Sequence, residues 1–331
     1  MILVTGASGL LGAAVCRQLY KQGVPYFAHL GSGSGSPTKR VPADVREHAT
    51  LKAAGDLCNR EHVEGLFKLS LPIHVELPHI TGVIHCAARI SGIAGQKADP
   101  SYAVTDNLCM TARLLEAAAK AGLKDTDGHW GRFVFVSSST VYPSRGRPMH
   151  EDDDLGPDAC YEGVGNMKIY CEQLPRFYRN KFGLCYSAVR PTAVYGVGDW
   201  SNHVIPDLLR RALAGETPLK VWGGISTIRD FVYVDDVAEA CVRAAKGPDR
   251  EGAAGPFNVG SGQKTTILDL ARAVLHACDR SGDAVLSVDG PEAIPYRQVS
   301  IARAATGLGW SPQVTLEEGL RRTAEWMKHG T

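Results

Sequence analysis

The 331-residue chain has no CxxC pair, no excess of either charge and no long apolar run, and each absence removes a class of function. Nine cysteines scattered without a pairing motif read as reduced thiols, not as a disulfide frame or a zinc site, so no metal is expected. Thirty-six Lys and Arg against 35 Asp and Glu leave a formal charge of +1, which offers neither nucleic acid nor an anionic membrane a reason to bind. No stretch approaches the roughly 18–20 apolar residues of a membrane span, and no basic segment precedes the apolar opening. A cytoplasmic protein is expected. Repeats of solenoid period are missing too. What is there is ordinary for a globular protein, with 44% hydrophobic and 21% charged residues, enough to bury a large core.

Met1–Thr5 is a short apolar strand closed by a glycine turn. LLGAAVCRQLYKQG follows with apolar residues at helical spacing and a stop at Gly23. Strands are expected over 25–30, 82–88, 133–139, 187–196 and in PLKVWG. Helices are expected in REHVEGLF and over 107–121, 204–213 and 267–277. Pro175 should interrupt the helix of 166–180. GSGSGS at 31–36 reads as a cofactor-side loop, because a domain linker there would cut a βαβ unit. Buried strands alternating with helices predict an α/β fold: a Rossmann, doubly wound parallel sheet with a smaller C-terminal substrate-binding lobe. The dinucleotide-binding core is expected over 1–170, completed by roughly 184–196 and 229–260, with the remaining segments of 171–331 forming the lobe.

Gly6-Ala7-Ser8-Gly9-Leu10-Leu11-Gly12 opens the first helix. Gly6 permits the tight turn, Gly9 lets backbone amides approach a pyrophosphate, and Gly12 allows close packing of helix on strand. The helix N-terminus adds oriented N–H groups and the positive end of a dipole. Asp56-Leu57 stands where an aspartate accepts a hydrogen bond from adenine; the plain alternative is an N-cap for REHVEGLF. NAD-specific sites carry a carboxylate about 20 residues past the turn. Here Phe27–Ser32 has none, and the next is Asp44. Ser32, Lys39 and Arg40 can instead hold a 2′-phosphate, so NADP(H) is expected over NAD(H). The plain alternative leaves Lys39 and Arg40 as solvated loop charges.

The turn, SSSTVYP at 137–143, Arg190-Pro191-Thr192, RDFVYVDDV at 229–237 and FNVG at 257–260 together resemble the extended short-chain dehydrogenases, the nucleotide-sugar epimerases, dehydratases and 4-reductases. The resemblance covers nearly the whole chain. SNHVIP at 201–206 and Tyr142-Pro143 look most like the GDP-fucose synthase branch. It implies cofactor contacts at Ala87, Ala88, Asn107, Pro191, Val194 and Lys168, and substrate contacts at Ser91, Thr140, Tyr161, Val164, Asn202 and Arg229. Ser138 is implied to orient the substrate oxygen, with Ser139 beside it.

The family's YxxxK helix places a tyrosine acid four residues before its lysine. Lys168 and Glu172 fit the pattern, but Val164 stands at the tyrosine position. Residues i and i+4 share a helix face. Tyr161, seven residues away and about 10 Å along a helix, substitutes only if the Gly163/Gly165 stretch is not helical. Tyr170 points to another face. His203 matches a position used for acid–base work in the fucose synthase branch, or is simply a helix-start histidine. Its partner cysteine there corresponds to Thr140, which cannot act as an acid, so epimerisation is not expected. A proton source remains in His203, a water or the substrate. A ketone beside an acidic phenol needs no enzyme acid, and this pattern resembles the atypical angucyclinone ketoreductases of aromatic-polyketide biosynthesis. The expected enzyme is therefore an NADPH-dependent ketoreductase acting on a small-molecule ketone. The alternatives are a nucleotide-sugar epimerase or 4-reductase with a displaced acid, using Asn202, Lys220, Arg229 and Arg297 on a diphosphate, and a non-catalytic NADP(H)-binding regulator. For Arg229-Asp230 the plain alternative is a structural pair bracing the lobe. The oligomeric state stays open.

Overall fold

The computed structural model describes residues 1–31, 42–68, 79–89, 101–123, 132–222, 224–246, 255–289 and 294–329. In chain order the first half runs β1 (Ile2–Thr5), α1 (Leu10–Lys21), β2 (Tyr26–His29), α2 (Ala43–His48), β3 (Leu51–Ala53), α3 (Arg60–Lys68), β4 (Gly82–His85), α4 (Ser101–Lys120) and β5 (Arg132–Val136). The second half runs α5 (Glu162–Phe182), β6 (Cys185–Pro191), β7 (Ala193–Tyr195), α6 (Val204–Leu213), β8 (Leu219–Trp222), β9 (Ile228–Arg229), β10 (Phe231–Tyr233), α7 (Val234–Lys246), β11 (Phe257–Val259), β12 (Thr265–Thr266), α8 (Ile267–Ala277), β13 (Val285–Val288), α9 (Ala302–Leu308) and α10 (Leu316–His329).

Seven strands pair in parallel in the order β11-β6-β5-β4-β1-β2-β3, a doubly wound Rossmann sheet. Successive strand residues face opposite sides, and the packing follows that period of two. Ile2 and Val4 join Ile84, Val134 and Val189 against α1 and α7; Leu3 joins Phe27, Val83 and Phe133 against α3, α4 and α5. Strands covered on both faces are apolar along most of their length, which is why MILV and GVI read as unbroken runs before the polar Thr5 and His85. Three two-stranded pairs, β10-β7, β12-β9 and β13-β8, lie outside this sheet. Among the described residues no helix is long and apolar enough to cross a membrane.

Three expectations change. The run 187–196 is two strands: β6 ends at Pro191 beside β11, and after Thr192 the chain shifts to pair β7 with β10. Thr192 N–H, donating to Val259 O at 2.9 Å, makes the step. Pro175 does not interrupt its helix, since α5 runs unbroken from Glu162 to Phe182 with Pro175 buried inside it. The run 133–139 likewise ends early, at Val136, because Ser138 starts a 3-10 turn over Ser139–Val141.

Candidate active site

The glycine turn sits between β1 and α1 with Gly6 at φ +69°, a backbone only glycine adopts cheaply. A Cβ on Gly6 would lie 2.8 Å from the backbone of Ala87, and one on Gly12 would lie 2.1 Å from Gly6 O. Gly9 caps α1 without a side chain. Ala7 N–H donates to His29 O at 3.0 Å and Ser8 Oγ donates to Leu30 O at 2.8 Å, so the turn is tied to the end of β2. Leu10 and Leu11 pack against the core from the first turn of α1. This is a cradle that side chains would fill, and it fits a dinucleotide pyrophosphate.

A relay that the motifs did not reveal holds the cradle to the neighbouring loops. Ala87 N–H donates to Thr5 Oγ1 (3.2 Å), whose hydroxyl meets His85 Nδ1 at 2.7 Å. His85 Nε2 meets Thr111 Oγ1 at 3.2 Å, and Thr111 Oγ1 donates to Asn107 O at 2.8 Å. Since Thr5 has its proton to give and Thr111 has spent its own, the chain assigns neutral His85 its proton on Nε2. Burial, with the Lys168 charge second, lowers His85 to about 3. Asn107 clasps Arg89 from both sides, its Oδ1 accepting from Arg89 N and its Nδ2 donating to Arg89 O, each 2.8 Å. Ala87 and Ala88 lie half-buried in the loop between these contacts.

The sign of the pH dependence follows. An unfolded histidine takes up a proton below about 6.5, whereas His85 stays neutral to about 3. The unfolded state binds more protons between those values, so stability falls as pH drops through that window. By pH 5 this one group costs ~2 kcal/mol. His85→Gln keeps one donor and one acceptor but cannot titrate. Its urea-unfolding free energy between pH 7 and 5 should fall by about that much less than the wild type's. Equal falls in the two proteins would remove His85 as the cause.

At the end of β2, His29 is fully buried and its Nε2 lies 3.0 Å from His62 Nε2. Burial, then His62, lowers it to about 4. The first described carboxylate beyond, Asp44, is held at 2.6 Å by Arg17. Ser32, Lys39, Arg40 and Ser91 lie outside the described residues. Asp56 is exposed, its Oδ1 accepting from Cys58 N at 2.9 Å, while Leu57 is buried behind it. Asp56 is not the N-cap of α3; Asn59 is, accepting from His62 N at 2.9 Å.

Beside β5, Ser138 Oγ accepts from Thr140 N at 3.1 Å, which leaves its own proton free to donate. Ser139 is buried, and Thr140 Oγ1 is buried without a partner. Lys168 Nζ donates to Val136 O at 2.8 Å and sits 4.7 Å from the Phe135 ring centre. Burial lowers it from the usual lysine range. Glu172, one turn on, does not reach that site. It binds Arg190 at 2.5 Å and accepts from Ser137 Oγ. Pro191 is buried and Val194 half-buried on the strands beyond.

α5 is already helical at Glu162, so Gly163 and Gly165 are helical and Tyr161 is the N-cap. Gly165 is required there, as a Cβ would come within 2.3 Å of Pro157 and 2.8 Å of Thr140 O. The condition under which Tyr161 could replace a residue at 164 therefore fails. Its ring instead lies 5.1 Å from the Arg297 guanidinium. Val164 is half-buried, four residues before Lys168 on the same helix.

Arg229 and Asp230 are not a pair. Arg229 Nη1 donates to Ile228 O and Ile294 O, whereas Asp230 Oδ1 accepts from Ser261 N and Oγ, all at 2.7–2.8 Å. Adjacent residues of extended backbone face opposite sides, which separates them. Arg297 lies over the Tyr161 ring, and burial lowers both Arg229 and Arg297 from the usual guanidinium range. Arg297, a residue named only in passing from sequence, donates to Ser139 O (2.7 Å) and Asp158 Oδ2 (2.6 Å), with Nε left unpartnered. His203 caps α6 from an exposed position, Asn202 Oδ1 accepts from Arg210, and Lys220 is exposed.

The sequence profile of the NAD dependent epimerase/dehydratase family matches residues 2–260. A dTDP-4-dehydro-6-deoxy-D-allose reductase from Streptomyces bikiniensis is 32% identical over 338 residues, covering 100% of this chain and 97% of the relative. GDP-L-fucose synthase 1 from Arabidopsis thaliana is 30% identical over 336 residues, covering 98% and 92%. Among solved structures, UDP-glucose 4-epimerase with UDP-glucose from Thermotoga maritima superposes with a TM-score of 0.83 at 27% identity, covering 99% of this chain and 98% of that one. The Thermus thermophilus UDP-glucose 4-epimerase complex with NAD does so at 0.80 and 26%, covering 100% and 99%.

Proposed function

Because the chain belongs to the NAD dependent epimerase/dehydratase family and is a nicotinamide-dependent oxidoreductase acting on a carbonyl, we propose that it is an NADPH-dependent ketoreductase whose substrate supplies its own proton. The observation that carries this reading is the aliphatic Val164 on a continuous helix, four residues before buried Lys168, with Tyr161 held away at the helix cap. The bound cofactor would supply hydride to the ketone carbon. Gly6, Ser8, Gly9, Leu10, Leu11 and Gly12 would hold its pyrophosphate, Asp56 and Leu57 its adenine, and Lys168 its nicotinamide ribose, with Ala87, Ala88, Asn107, Pro191 and Val194 lining the site. Ser32, Lys39 and Arg40 would take the 2′-phosphate, in keeping with a sequence that has no carboxylate from Phe27 to Ser32 and with Asp44 engaged by Arg17. The cofactor core would span 1–170, completed by roughly 184–196 and 229–260.

Ser138 donates its free hydroxyl proton to the developing oxyanion; one such donor in a dry site is worth about 3–4 kcal/mol. Ser139 and Thr140 complete that side. With Val164 four residues before Lys168 in place of a tyrosine acid, the proton comes from the ketone's own neighbour, His203 and a water being the other sources. A phenol beside the carbonyl, as in an angucyclinone-type aromatic polyketide, passes its proton and leaves a delocalised phenolate.

A second reading, an NDP-sugar 4-ketoreductase, is favoured by two buried guanidinium groups, Arg229 and Arg297, of which Arg297 pairs with Asp158 and lies over the Tyr161 ring. The relatives' names, which describe a dTDP-sugar reductase and a GDP-fucose synthase, support it as well. NADPH absorbance followed with hydroxy-quinones and with NDP-4-keto sugars separates the two. Val164→Tyr adds a second test. A general acid is worth roughly 10²–10⁴-fold where one is missing, but a self-protonating substrate should gain well under tenfold in kcat. A gain of orders of magnitude with the same ketone would overturn the substrate-proton mechanism.

A further inference from the structure

We infer that Cys58 and Cys109 form a redox-sensitive dithiol whose closure to a disulfide weakens dinucleotide binding; the second half of this inference rests on the cofactor placement above. Cys58 lies in the turn between β3 and α3, two residues past Asp56, and Cys109 lies on α4, two residues past Asn107. Both are half-buried, while Cys16, Cys171, Cys241 and Cys278 are closed off in the core. Cys109 Sγ donates to Cys58 O at 3.7 Å, and Cys58 Sγ donates to Asp106 O at 3.6 Å, so each thiol lies against the other's backbone. Burial and the neighbouring Cys109 push Cys58 up to about 12. The raised thiol reacts only through a small thiolate fraction, so closure is slow and needs sustained exposure to the oxidant, with the proximity of the second cysteine favouring the bridge once the first has reacted.

The named oxidant is hydrogen peroxide. One thiolate attacks a peroxide oxygen, forming S–O and breaking O–O, and the departing hydroxide leaves as water with the thiol's proton. The second sulfur then attacks the sulfenic sulfur, forming S–S, breaking S–O and releasing a second water. Two electrons pass from the sulfurs to the peroxide. A disulfide holds its sulfurs at about 2.05 Å, well inside non-bonded contact, so closure draws the Cys58 turn towards α4. The Cys58 amide is the donor that orients the Asp56 carboxylate, and Asp56 must move with it. The sulfur bridge thus acts on the turn expected to meet adenine.

The full-length protein is treated with hydrogen peroxide, and proteolytic peptides are mapped by mass before and after dithiothreitol. NADPH and NADH affinities are read by fluorescence titration without any ketone. The expected result is a Cys58–Cys109 linked peptide two hydrogens lighter than its reduced parts and cofactor binding about tenfold weaker, the worth of one hydrogen bond to a charged group. Dithiothreitol should reverse both. Cys109→Ser should bind like the reduced wild type and keep that affinity after peroxide. The linked peptide failing to form, or the linked protein binding as tightly as the reduced one, overturns the proposal. Reduced protein that binds neither nucleotide overturns the cofactor placement instead, and the regulatory half of the inference with it, while the peptide map still judges the disulfide.

Discussion

Gly12→Ala should reduce dinucleotide affinity by roughly 100-fold or more, the scale on which an ångström of misplacement acts in a preorganised site. The new Cβ would sit 2.1 Å from Gly6 O and 2.5 Å from Gly6 C, and both are backbone atoms. No rotamer relieves that, so either α1 lifts away from the turn or Gly6 moves. Gly6 cannot move freely, because it lies against Ala87 and is held at positive φ between β1 and the turn. The amides at the start of α1 therefore lose their alignment. Two companions calibrate the result. At Gly9 the new Cβ would be 3.3 Å from Gly6 O, a contact that relaxes by tenths of an ångström, and the loss should be much smaller. At Gly23, φ +67° but in open space, alanine should cost about 1 kcal/mol of stability and leave binding alone. Fluorescence titration of NADPH and urea unfolding read both quantities. An affinity for Gly12→Ala within threefold of wild type would mean that the turn is not the pyrophosphate site.

Local periodicity made the fold legible. The helices of 204–213 and 267–277 start and stop at the predicted residues, because amphipathic spacing and capping are properties of neighbouring residues. The glycine turn was legible for the same reason, its three glycines being within seven positions. The contacts that hold it were not. Thr5 meets His85 across 80 residues, and Arg297 reaches Ser139 across 158. Nothing in either segment alone marks such a partner. The chemistry of adjacency also misled. Adjacency suggested a structural pair as the plain alternative for Arg229-Asp230, but extended backbone sends the two to different partners, Ile294 O and Ser261. Gly260 shows where the aspartate went: a Cβ there would lie 2.5 Å from Asp230 Oδ2. Pro175 misled in the opposite sense, since a proline that usually breaks a helix is carried here within a buried face.

Arg190→Met should destabilise the protein by about 3–5 kcal/mol, a large share of the ~5–15 kcal/mol that holds a typical protein folded. Arg190 and Glu172 expose 3% and 9% of their side chains, and the guanidinium gives the carboxylate Nε and Nη2 together. Its Nη1 donates to Tyr142 Oη at 2.6 Å, and Tyr142 donates onward to Asn258 Oδ1 at 2.8 Å. β5, α5, β6 and β11 are thus joined by one charged centre beneath the helix that carries Val164 and Lys168. Methionine fills similar volume, so the cost comes from leaving the Glu172 carboxylate buried with Ser137 as its remaining partner. The pair itself is a different matter. Desolvating both charges offsets most of their attraction, so the double substitution Glu172→Leu/Arg190→Met should recover much of the stability that Arg190→Met loses. Urea unfolding of the two single variants and the double variant closes the cycle. A single variant within 1 kcal/mol of wild type, or a double variant no more stable than Arg190→Met, would show that the centre does not act as a coupled pair.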